Sequence, residues 1–279
     1  MIKRLTSSSL IALAAIAAQP ALAQDDPTTF DGPYIQGAIG LDHIDSGRKG
    51  LEFDTNRNGT FGDTVRTGAG ADAFAPGFCT GAAIGNNVPA GCSGDDDEVG
   101  YAVRLGLDQR SGSFVSGILV EGSRSRATDF ETAFSSTPAS YTFAREVDYA
   151  IAARGRFGFS PGDGRGMFYA TGGVSYADID RAFTTSNTAN SFTLNDGGDD
   201  MVWGAQFGGG AELVLGGGLT VGLEYLYSRY EDDDTFVEVR QGTAPATNPF
   251  LLNGGGTNLR PADSRLDLHS FRVTAGFQF

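Results

Sequence analysis

Nowhere does this sequence offer a helix that could cross a membrane. Its one continuous apolar run, Leu10 to Ala18, falls short of the ~18 residues such a span requires. Positive charge is scarce: 20 Lys and Arg stand against 34 Asp and Glu, a net charge of −14. That sign excludes nucleic acid as a partner, because a binder must neutralise phosphates. Histidine occurs twice, as the isolated His43 and His269, and cysteine twice, as Cys79 and Cys92. With no histidine near the cysteines in sequence, a metal or catalytic use is weakly supported. An exported chain would instead oxidise the pair to a disulfide, closing a short loop and stabilising it by roughly 2–4 kcal/mol.

What is present first is an export signal. Lys3 and Arg4 precede the short apolar run, and Ala21-Leu22-Ala23 is an A-x-A cleavage site. Residues 1–23 are therefore expected to be a signal peptide. Residues 24–279, with a charge near −16 once Lys3 and Arg4 are gone, are expected to form one domain. If that domain enters a membrane it must do so with strands closed into a barrel, since lipid tolerates only helices and closed sheets.

The strand signal is period-two alternation. In Val99–Asp108, Val99, Tyr101, Val103, Leu105 and Leu107 take one face, and Gly100, Ala102, Arg104, Gly106 and Asp108 the other. Similar segments are expected at about 34–42, 114–124, 145–159, 167–178, 202–215, 219–229 and 266–279. The apolar parity ends in aromatics, counting Tyr34, Tyr149, Tyr176, Trp203, Tyr227 and Phe279, as an interfacial girdle would. Val147 is placed on that outward parity, and Glu146 and Asp148 on the inward one. Three connections are short turns and four are long, the longest covering 43–96. The prediction is an all-β, eight-stranded antiparallel transmembrane barrel with short periplasmic turns and long extracellular loops. Many of its 41 glycines sit within alternating runs, where small inward residues suit a narrow lumen.

The inward parity carries charges of both signs. Since an unpaired buried charge is strongly destabilising, Arg104, Glu121, Arg154, Arg156, Glu212, Glu224 and Arg272 are expected to form a lumenal network. An eight-stranded barrel is just wide enough for side chains to fill, so a polar plug is expected ahead of an ion or solute path. Acid also clusters between strands, at Asp95-Asp96-Asp97-Glu98, Asp199-Asp200 and Glu231-Asp232-Asp233-Asp234. These read as solvated loops or as sites for divalent cations, alone or with lipopolysaccharide.

Tyr34-Ile35-Gln36-Gly37, Glu121-Gly122, Arg154-Gly155-Arg156-Phe157-Gly158-Phe159, Tyr169–Tyr176 and Phe277-Gln278-Phe279 resemble the OmpA-type, opacity-protein-like outer-membrane barrels of alphaproteobacteria. The resemblance spans nearly all of residues 24–279 except the loops. It implies residence in the bacterial outer membrane, contact with its lipids and lipopolysaccharide, and insertion by the barrel-assembly machinery with periplasmic chaperones. Phe277 and Phe279 are similar to that machinery's recognition signal. Thr274 departs from the family, many of whose members carry glycine there, and the first loop is unusually long.

That loop contains Asp54-Thr55-Asn56-Arg57-Asn58-Gly59-Thr60-Phe61-Gly62-Asp63, whose D-x-N-x-N-G opening matches a calcium loop. Asp54, Asn56, Asn58, Thr60 and Asp63 would be the Ca²⁺ ligands, with Asp63 replacing the bidentate glutamate missing at Val65. The same residues are also ordinary turn formers. His269-Ser270 invites comparison with barrel lipid-A deacylases, but no companion acid is evident on that face, and no enzyme is expected. The expected function is structural or surface-interacting, with any extracellular ligand held by the loops. The alternative is a small porin.

Overall fold

A strand needs about 9–11 residues to cross the hydrocarbon of a membrane, and eight strands here reach or exceed that. A computed structural model describes residues 30–45, 50–197 and 200–279; the expected signal peptide and Asp199 lie outside them. In chain order the strands are β1 (Gly32–Asp45), β2 (Leu51–Asp54), β3 (Gly77–Thr80), β4 (Glu98–Ser111), β5 (Phe114–Arg124), β6 (Thr128–Ser135) and β7 (Ala139–Phe159). They continue as β8 (Gly166–Thr185), β9 (Ser191–Asn195), β10 (Met201–Gly216), β11 (Leu219–Glu231), β12 (Phe236–Arg240), β13 (Thr257–Pro261) and β14 (Arg265–Gln278). Strands β1, β4, β5, β7, β8, β10, β11 and β14 form an antiparallel ring, closed by Ile39 opposite Val273.

The alternation read from sequence sets which way this ring faces. Ile39, Val103, Ile118, Ile151, Phe168, Phe207, Leu223 and Val273 are all exposed on its outer wall. Arg104, Glu121, Arg154, Arg156, Glu212, Glu224 and Arg272 are all buried inside. A soluble barrel would have the reverse arrangement. The short connections are tight: Gly112 and Gly217 adopt φ of +62° and +58°, which favour glycine.

Two outward expectations fail. Tyr34 points into the lumen and is 5% exposed. It lies one residue out of phase with Ile35 and Ile39, and its ring covers Gly106, where a Cβ would sit 2.2 Å from Tyr34 Cζ. Val147 also points inward, because β7 carries a bulge against β8 between Val147 and Ala150. One extra residue reverses which parity faces in. The same bulge moves Asp148 away from the lumen to the rim, where its Oδ1 accepts from Arg124 Nε at 2.9 Å. Glu146 leaves the inward parity with it, and Arg145 takes the inward place.

The long connections are not simple loops. β7 and β8 have 21 and 20 residues, about twice what the membrane needs, and their upper halves stay paired above it. β6 and β3 add to that edge, giving an outer sheet in the order β3-β6-β7-β8. Against it lies a second sheet, β2-β13-β12-β9. Leu51, Phe53, Val237, Val239 and Leu259 from the second sheet meet Ala133, Tyr141 and Phe143 from the first, with Phe74 and Phe250 from the connections. The barrel thus carries, at the end away from its short turns, a β-sandwich with its own apolar core.

Candidate functional site

Along the inward face of the strands, apolar and charged layers alternate. Phe30, Val115, Met167 and Tyr169 form an apolar floor at the end of the barrel that bears the short turns. Above it Arg156 donates Nε to Asp108 Oδ1 at 2.8 Å and Nη1 to Glu212 Oε1 at 3.1 Å. Gln36 Nε2 also donates to Glu212 Oε1, at 3.1 Å. The Arg156 guanidinium lies 4.4 Å from the centre of the Tyr34 ring, a cation–π contact.

The next level is centred on two glutamates. Arg104 grips Glu224 with both terminal nitrogens, at 2.8 and 2.7 Å, and its Nε is 3.0 Å from Glu121 Oε2. Glu121 also accepts from Arg154 Nη2 at 2.7 Å and from Arg272 Nη1 at 2.8 Å. Tyr169 donates its hydroxyl to Glu224 Oε2 at 2.8 Å. All seven residues expected in the network lie buried in the lumen, Arg156 and Glu212 in the lower tier and Arg104, Glu121, Arg154, Glu224 and Arg272 in the upper. Sequence parity had put Asp108 inside but not in that set, and it missed as members Tyr34, Gln36, Tyr169 and Gln206, whose Oε1 accepts from Arg154 Nη1 at 2.9 Å. Their inward phase was the available signal. Asp42, 1% exposed, adds a fifth carboxylate to the lumen, and neither of its oxygens makes a hydrogen bond.

Ile44, Val147, Ile179, Tyr230, Leu266 and Leu268 form an apolar lid over these charges. A second charged layer follows. Arg145 donates to Asp129 from Nε at 3.0 Å and from Nη2 at 2.5 Å, and to the Asp263 carbonyl from Nη1 at 3.0 Å. Arg181 pairs with Asp232 at 3.1 Å, so one residue of the third acidic cluster is a buried ion-pair partner rather than a solvated loop residue. Glu131 is left 3.8 Å from Arg145, and neither of its oxygens makes a well-formed hydrogen bond. Burial, with Asp129 and Asp263 nearby, outweighs Arg145 and the Ala262 N–H and pushes its carboxyl up to about 8. The sandwich core caps this layer.

Cys79 and Cys92 form a disulfide, with Cα atoms 6.5 Å apart, tying the 81–92 excursion to β3. In the Asp54–Asp63 loop, Asp54 accepts the N–H groups of Asn58 and Gly59 at 3.1 and 2.8 Å. Asn56 and Asn58 accept the N–H groups of Asn58 and Thr60. These are Asx turns, closed through the loop's own backbone. Asp63 turns back to accept from the Thr55 N–H and hydroxyl at 3.0 and 2.9 Å. Among the described residues, no group of three or more His, Cys, Asp or Glu side chains is placed to hold a metal ion. His269 lies on the outer wall, 2.7 Å from the Tyr225 hydroxyl, whereas Ser270 is buried in the lumen. The two cannot act on one substrate.

An apolar wall enclosing charged layers, with strands of this number and order, is the architecture of a bacterial outer-membrane protein. The family model described as "Outer membrane protein beta-barrel domain" matches residues 8–279. The chain belongs to that family. As a member of the outer-membrane β-barrel family it is placed in the bacterial outer membrane, with its long connections extracellular. Among solved structures it is similar to the outer membrane protein OprG from Pseudomonas aeruginosa, at 12% identity and a TM-score of 0.52, covering 91% of this chain and 100% of that one. Neisserial surface protein A (NspA) aligns at 9% identity and TM-score 0.36, covering 89% and 98%. Ail, the attachment invasion locus protein of Yersinia pestis, aligns at 9% and 0.33, covering 89% and 99%. The OprG likeness bears on the fold alone. No curated protein sequence matches the chain.

Proposed function

We propose that this barrel is a non-conducting, non-catalytic pedestal whose function lies in the extracellular sandwich it holds above the membrane. The observation that carries this reading is the layering of the lumen. An ion crossing it would have to part the floor at Phe30 and Met167, two tiers of paired charges, and the lid at Val147 and Tyr230. Buried pairs of this kind are strongly destabilised when one partner is moved away, so a path through them is costly. Against the porin alternative, the arginines are committed to carboxylates rather than aligned along an open wall. Against an envelope enzyme, His269 and Ser270 face opposite sides of β14.

On this reading the outward apolar belt meets outer-membrane lipids and lipopolysaccharide. Phe277 and Phe279, exposed on the outer face at the end of β14 with ring centres 5.3 Å apart, offer the assembly machinery its signal. The refolded protein in a planar bilayer is expected to give no conductance steps. Steady openings from the full chain would reject the pedestal and favour the porin.

A further inference from the structure

The sandwich has an opening at the end farthest from the membrane. The tips of β6–β7 and β8–β9 meet there with the connections before β3 and before β13, around a cleft of about 260 Å³. Its buried floor is aromatic: Phe74, Tyr141 and Phe250 pack edge-on and tilted, with ring centres 5.3–5.8 Å apart. Its rim is hydroxyl and amide. Asn187 donates to the Tyr141 hydroxyl at 3.0 Å and to Asn190 Oδ1 at 3.1 Å, and Asn248 donates to the same Asn190 oxygen at 3.1 Å. This amide chain fixes the rim before any ligand arrives. Thr137 and Thr188 stand at its solvent edge.

The lining contains no Asp, Glu, Lys, Arg or His, although charged residues make up 19% of the chain. A charged ligand would enter without a counter-charge and lose its hydration. A hydrocarbon would cover the exposed hydroxyls of Ser136, Thr137 and Thr188 without bonding them. A neutral ring with one apolar face and several hydroxyls satisfies both halves, resting on the aromatic floor and bonding the rim. The volume lies just under the ~300–1,000 Å³ of pockets for drug-sized ligands, as a site for a ring or two should.

Resting on the surface-interaction reading above, we propose that this distal cleft binds a neutral saccharide. The sugar could come from animal-cell glycans or from neutral bacterial polysaccharide, which share this chemistry.

The test uses the refolded full chain in detergent micelles. It would be applied to an array of neutral, sialylated and sulfated animal-type oligosaccharides, and titrated with a purified neutral bacterial O-polysaccharide. Thr137→Arg and Thr188→Arg put charge at the exposed edge of the cleft without touching a core. Thr193→Arg, equally exposed on β9 but outside the cleft, is the control. The expected result is binding to neutral probes in one or both arms, weakened about tenfold or more by the two rim variants and not by Thr193→Arg. The responding arm identifies the source. Binding only to sulfated or sialylated probes, or neutral binding indifferent to both rim variants, would overturn the assignment. If no saccharide binds but deleting the sandwich tips abolishes adhesion of expressing cells, the saccharide is wrong and the surface reading stands. If that deletion also leaves adhesion unchanged, both fall.

Discussion

Arg104 is 1% exposed and bridges two glutamates on different strands. Its position turns the lumenal network into a measurable quantity. Removing one partner of a buried pair leaves an uncompensated charge, at a cost of about 3–5 kcal/mol, whereas replacing both partners by apolar groups is often neutral. Arg104→Ala should therefore lower the urea midpoint of the micelle-refolded protein markedly. Arg104→Met combined with Glu224→Leu should recover much of that loss, though Glu121 would still miss one of its three arginines. A double-mutant cycle reads the coupling directly. Equal midpoints for wild type and Arg104→Ala would mean that these charges find other partners or water, and the layered lumen would lose its energetic basis. Tyr34 carries a different lesson at this scale. An aromatic near a strand end reads as girdle, yet its phase with Ile35 placed it inside, over Gly106 and beneath Arg156. Phase was the better guide than residue type.

Elements that obey strict alternation were legible from the sequence, and those that break it were not. β4 follows period two from Val99 to Asp108, and its inward set is the one found. β7 follows the expected parity only from Ala150 to Phe159. The bulge before it inserts one residue and reverses the inward set, so Val147 and Arg145 joined the interior while Glu146 and Asp148 left it. A bulge has no hydrophobic signature of its own. The sandwich was hidden for a related reason. β2, β9, β12 and β13 are four or five residues long, too short for a periodic signal, and they become strands through partners distant in sequence, such as Leu259 opposite Phe53. The Cys79–Cys92 bridge, by contrast, was readable from exported context alone. It fastens only the 81–92 excursion to the outer sheet. Cys79→Ala with Cys92→Ala should thus speed proteolytic nicking within residues 81–92 while leaving the heat-induced gel shift of the barrel in place. Loss of that shift would mean that the bridge supports the whole fold.

At the scale of the whole molecule, the barrel and the sandwich share β7 and β8 but not a core. Ala127, Val147 and Ile179 belong to the lid, while Ala133, Phe143 and Phe183 belong to the sandwich. Between them lie Asp129 and Glu131 on β6, Arg145 on β7 and Arg181 on β8. Separate cores joined by a charged layer favour separate unfolding steps, and Glu131 gives the outer step a pH dependence. Its carboxyl is pushed up to about 8 from an ordinary value of 4.5, so the folded sandwich holds that proton more tightly than the unfolded chain does. Stability from this group is full below about 4.5 and is lost as pH rises through about 8. The size of the effect is on the order of a few kcal/mol. The sandwich midpoint, followed by protease accessibility in lipid vesicles under urea, should fall between pH 5 and pH 9 while the barrel remains protected. Glu131→Gln keeps the neutral shape and should remove most of that slope. A slope that survives in Glu131→Gln would assign the dependence to other carboxylates. A single transition for both tiers would mean that the charged layer couples them, so that whatever binds the sandwich is felt down to the barrel.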